Sequence, residues 1–73
     1  MAKGHSKGTN VRWKWGDSHA SGQVSEAFTR KITRTLKGTE VTKNGTEDCP
    51  AYLIEQEDGT EVLKLHSEVQ RAN

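Results

Sequence analysis

A chain of 73 residues makes one domain with a thin hydrophobic core and little stability to spare. At 30% hydrophobic and 29% charged residues the composition leans toward disorder, but the apolar positions are patterned rather than scattered, which argues for a folded chain. One cysteine excludes an internal disulfide, and no apolar run is long enough for a signal peptide or a membrane span, so the chain reads as cytoplasmic with no membrane partner.

The net charge of +1 hides a division: residues 1–43 hold nine Lys and Arg against three acids, and residues 44–73 hold two against seven. In a small β domain such a split supplies cross-strand pairs as readily as it supplies a face for an anionic partner.

Met1 to Gly8 (MAKGHSKG) lacks apolar periodicity and reads as a flexible lead-in over 1–8, followed by a single domain over 9–71 and a tail at 72–73. From Thr9 the alternation is strict. Val11, Trp13 and Trp15 point one way and Asn10, Arg12 and Lys14 the other, the period-two pattern of a half-buried strand. Trp13 is expected to be a core wedge. Trp15, at the strand end, is divided between packing at the end of the sheet and contact with a ligand.

Gly16 to Ser21 (GDSHAS) reads as a polar loop, and a second strand is expected from Gly22 to about Thr29. In FTRKITRTLKG, Phe28, Ile32 and Leu36 are spaced by four and would suit a helix. The β-branched threonines and isoleucine favour extended structure instead. Gly38 breaks the run, Val41 adds one apolar contact, and KNGTEDCP is expected to be a loop holding the Asn44-Gly45 turn pair.

AYLIEQEDGTEVLKL reads as a hairpin. Asp58-Gly59 is the signal for a two-residue type I′ turn, which would pair Ile54 with Leu63 and Tyr52 with Leu65 on one core-facing side. Ser67 then turns the chain and Val69 opens a brief last strand. These elements predict an all-β domain, a small SH3-like five-stranded antiparallel barrel.

The order Gly8-x-x-Val11-x-Trp13, Gly22-x-Val24, Gly38-x-x-Val41, Pro50-x-Tyr52-Leu53-Ile54, then Asp58-Gly59 and Lys64, resembles the hypervirulence-associated protein Tudor domain family. The resemblance runs from Lys7 to Arg71. It implies a Tudor-type barrel and a binding or regulatory module rather than an enzyme. Tudor domains elsewhere read methylated lysine or arginine with a cage of several aromatic rings. Of Trp13, Trp15, Phe28 and Tyr52, the pattern commits Trp13 and Tyr52 to the core.

No catalytic residues are expected: Cys49 has no histidine near it in sequence and reads as an incidental small hydrophobe. His5, His19 and His66 are isolated and no CxxC or HxxxH spacing occurs, so neither a metal nor another cofactor is expected. Two functions remain for an expected monomer. A module for a protein or peptide partner would use Trp15, Asp17, His19 and Glu55, with the acidic 47–61 segment favouring a basic peptide. The alternative, nucleic acid, would use the acid-free run Arg30, Lys31, Arg34 and Lys37.

Overall fold

The computed structural model describes residues 5–72. These form seven strands: β1 (Asn10–Trp15), β2 (Ser18–Phe28), β3 (Lys31–Leu36), β4 (Thr39–Asn44), β5 (Ala51–Glu55), β6 (Glu61–Leu65) and β7 (Gln70–Arg71), with a 3-10 turn at His66–Glu68. Every pairing is antiparallel. The main sheet has five strands in the order β6-β5-β2-β1-β7, and β3-β4 forms a separate two-stranded ribbon inserted between β2 and β5.

The expected five-stranded closed barrel is therefore corrected in two ways. The ribbon adds two strands, and the edge strands β6 and β7 do not pair. Closure is replaced by a cap: the Leu65 amide donates to Glu68 Oε1 at 2.9 Å, so a side chain takes the place of a neighbouring strand.

The tip of the β5–β6 hairpin also differs from expectation. Gly59 has φ +87° but Asp58 does not have positive φ, which rules out a type I′ turn. Gly59 N donates to Gln56 O at 2.9 Å and Gln56 N to Thr60 O at 2.7 Å, enclosing a three-residue loop. Asp58 Oδ1 accepts the Thr60 amide at 2.9 Å, and that bond holds the Asp58 carboxyl below its ordinary value. One extra loop residue shifts the register. Ile54 pairs with Val62 and Tyr52 with Lys64, while Leu53 pairs with Leu63 and Ala51 with Leu65.

That register divides the core, with β5 buried on both faces. On one side lie Val11, Trp13, Val24, Tyr52, Ile54 and Val69, with Ala20 and Val62 packed against them. On the other, the β3-β4 ribbon closes over Phe28, Ile32, Ala51 and Leu63 with Leu36, Val41, Leu53 and Leu65. Leu63 and Leu65 thus join Leu53 rather than Tyr52. A register shift in β2 between Val24 and Glu26 serves the same division. It lets Val24 face the first cluster and Phe28, four residues on, the second.

GDSHAS is not a loop. Trp15 pairs directly with Ser18 across Gly16-Asp17, where only Gly16 (φ +61°) has positive φ, the pattern of a type II′ turn. Residues 18–21 lie within β2. The segment after Phe28 is extended, as the β-branched residues predict, and β3 turns into β4 through Lys37 (φ +52°) and Gly38 (φ +76°). Two consecutive positive φ values make this the type I′ hairpin turn. Lysine is strained there, so Lys37→Asn should stabilise the domain by about 0.5–1 kcal/mol. A thermal melt checks this: the midpoint should rise by a few degrees, and an unchanged midpoint would contradict the strain.

Met1–Gly4 and Asn73 lie outside the described residues. The rest of the expected lead-in is tied to the sheet: His5 N donates to the Tyr52 hydroxyl at 2.7 Å and Gly8 N to Val24 O at 2.8 Å. Ala72 N likewise donates to Asn10 O at 2.8 Å.

Candidate binding groove

Alternation along β1 buries Val11 and Trp13 and then carries the next residue of that face, Trp15, past the packed part of the sheet. Its cross-strand partner is the small Ser18, and the ring is 71% exposed. The other three aromatic rings, Trp13, Phe28 and Tyr52, are at most 5% exposed. No aromatic cage of the Tudor kind can be built from the described residues.

Trp15 stands at a groove of about 640 Å³ between the main sheet and the ribbon. Trp13, Ala20 and Val62 line it from the first cluster, Leu36, Val41 and Leu63 from the second. Lys37, Lys43 and Lys64 border it together with Asp58 and Glu61, so both signs of charge are present. Lys43 Nζ is 3.0 Å from Glu68 Oε1, a bond that ties β4 to the 3-10 turn. Burial raises the Glu68 carboxyl, but the Leu65 amide and Lys43 outweigh it and leave the group below its ordinary value.

The outer edge of β6 borders this groove, since β6 bonds to β5 alone within the sheet and contributes Glu61, Val62, Leu63 and Lys64 to the lining. The Gln56–Thr60 bond sets the phase of the ladder. Val62 and Lys64 turn their backbone groups toward β5, and Glu61 and Leu63 turn theirs outward.

Of the expected contact residues, Trp15 lines the groove and Asp17 occupies the adjoining turn. His19 pairs with Lys14 and so faces away from Trp15. Glu55 pairs with Gln23 and lines a separate polar hollow with Glu57. The basic run is divided as well. Arg30 and Arg34 place their guanidinium carbons 5.4 and 5.2 Å from the Phe28 ring centroid, Lys31 lies on the opposite face of β3 from Arg34, and Lys37 sits in the turn at the groove. Leu36, Val41 and Val62 are groove residues that sequence reasoning did not select. Their apolar character was visible, but it marks core and groove alike.

Among the described residues no group of three His, Cys, Asp or Glu side chains could hold a metal ion, and no helix is long and apolar enough to cross a membrane. The chain matches the family described as hypervirulence associated proteins TUDOR domain over residues 8–69. It belongs to that family. This Tudor-family match begins before β1 and ends just short of β7, so the inserted ribbon and the whole groove lie inside it. Comparison with curated proteins and with solved structures returned no match.

Proposed function

We propose that this Tudor-family domain is a non-enzymatic, monomeric interaction module of the cytoplasm that holds an extended segment of a partner protein in the groove along β6. The observation that carries the reading is Trp15, 71% exposed at the groove while Trp13, Phe28 and Tyr52 are buried. An exposed tryptophan beside an apolar cleft is the usual form of a binding hot spot, because it offers a large rigid surface that association desolvates. The outward backbone groups of Glu61 and Leu63 suit strand addition, in which main-chain bonds hold the partner and alternate side chains enter the groove. Mixed charge at the rims favours a segment chosen for its apolar side chains, rather than the basic peptide that the acidic segment alone suggests.

Selection from a displayed library of random peptides tests the proposal. Selected peptides should bind wild type and lose about 30-fold or more in affinity to Trp15→Ala, the scale of a hot-spot loss. The melting midpoint should hardly move, since Trp15 is outside both core clusters. Equal binding by both proteins would sink the groove reading. The nucleic-acid alternative is tested in parallel with oligothymidine. Four backbone contacts would give a slope of log affinity against log salt near about −3, but the divided cations predict no binding tighter than about 10 μM at physiological salt. Sub-micromolar binding lost in Arg34→Gln and Trp15→Ala would favour nucleic acid instead.

A further inference from the structure

Away from the groove, a buried hydroxyl joins the two ends of the domain. The Tyr52 side chain is fully buried, its oxygen accepts the His5 amide at 2.7 Å, and it lies 2.9 Å from His66 Nδ1. A backbone N–H can only donate, so the Tyr52 proton has His66 Nδ1 as its acceptor. Nδ1 accepts that proton in the tautomer that carries its own on Nε2. The three rings pack together: His5 and His66 centroids are 5.0 Å apart, His5 and Tyr52 5.6 Å, and Tyr52 meets His66 edge-on at 5.9 Å.

The charges acting on His5 come from His66 on the 3-10 turn and Arg71 on β7, and Cys49 is the further titratable group acting on Tyr52. Glu68, on the same turn as His66, is engaged by the Leu65 amide and Lys43.

We propose that His5 is a pH-operated latch seated against Tyr52 and His66: with its imidazole neutral, residues 5–7 dock on the sheet, and its protonation releases them about Gly8. Gly8 is the pivot: its amide donates to Val24 O at 2.8 Å, its φ is +92°, and release also opens the 3.0 Å bond from Thr9 N to Ser6 O that spans it. Protonating His5 puts a positive charge in a partly buried place against the His66 ring, 5.0 Å away, and toward Arg71.

The direction of the effect follows from His5. Burial first, then His66 and Arg71, hold its imidazole below the ordinary 6.5, so docking selects the neutral form. Docking is at full strength above pH 6.5 and weakens as the pH falls from there through the lowered docked value. The docking constant should fall up to about tenfold per pH unit for each coupled proton.

Backbone 15N relaxation of the full chain reads this directly, at about pH 7.5 and about pH 5 on either side of the imidazole range. Order parameters of Ser6 and Lys7 should drop from near about 0.85 to below about 0.6 on acidification, while Val24 and Ile54 stay rigid. The double variant His5→Gln/His66→Asn keeps the His5 amide and, in Asn Oδ1, an acceptor at the place of Nδ1, but does not titrate, so its segment should stay ordered at both pH values. If that variant is already undocked at the higher pH, His5→Gln alone decides, and its pH dependence must be weaker than that of wild type. A segment equally ordered at both pH values in wild type would overturn the latch. So would release only together with Val24 and Ile54, release of the double variant on acidification as in wild type, or an unweakened response in His5→Gln.

Discussion

Trp13→Ala should leave the domain largely unfolded. The ring is 4% exposed and packs in the first cluster with Val11, Val24, Tyr52, Ile54 and Val69, drawing on β1, β2, β5 and the approach to β7 at once. Truncating a buried tryptophan to alanine costs about 3–5 kcal/mol, because the surroundings cannot collapse into the space that remains. A core of this size rarely supplies more than about 3–5 kcal/mol in total, so the loss is comparable to the whole stability. Circular dichroism and a thermal melt read the outcome. Trp13→Phe should keep a cooperative transition at a lower midpoint. If Trp13→Ala melts within a few degrees of wild type, the ring is not what joins these strands. The contrast with Trp15→Ala, two residues away, is the direct test of the alternation along β1.

Gly45→Ala should be nearly as damaging, for a reason of space rather than backbone conformation. Gly45 is buried and its φ is not in the left-handed region. A Cβ there would lie 2.9 Å from Ala51 N and 3.0 Å from Arg30 O, and would overlap the Phe28 carbonyl oxygen. All three are backbone atoms, so no side-chain rotation relieves the collision. The ribbon would have to move away from the sheet, breaking the bond from Gly45 N to Arg30 O at 3.1 Å and loosening Phe28 and Ile32 from Ala51 and Leu63. A cost of about 3 kcal/mol, the upper part of the range for overpacking, is expected. Amide exchange should rise first in β3 and β4. A midpoint lowered by no more than a degree or two would mean that the ribbon sits farther from the sheet than described.

Much of this architecture was legible in local pattern. Strict alternation over Val11, Trp13 and Trp15 located β1 and distinguished its faces, and the β-branched residues after Phe28 decided strand against helix. The β5–β6 hairpin was legible as a hairpin but not in its register. Asp58-Gly59 satisfies a two-residue and a three-residue loop alike, and Ala51-Tyr52-Leu53-Ile54 is apolar in either phase. The ribbon turn escaped notice because lysine rarely takes positive φ, so Lys37-Gly38 gives a weak local signal.

The sequence by itself determined the all-β class, the family, the burial of Trp13 and the place of the hairpin, because each rests on periodicity or residue order within a short window. Only the tertiary structure decided that β5 is covered on both faces, that β2 changes phase between Val24 and Glu26, and that Ser18–Ser21 pair as strand. It also decided the groove, assembled from residues 13–20, 36–43 and 56–64, and the division of the expected contacts, with Lys37 at the groove beside Trp15 and His19, Glu55, Arg30, Lys31 and Arg34 outside it. The physical reason is common to all of these. Which of two similar apolar phases is buried, and which exposed side chains meet, depends on what the sheet's twist and the inserted ribbon bring against each face, and that energy belongs to contacts between segments distant in the chain.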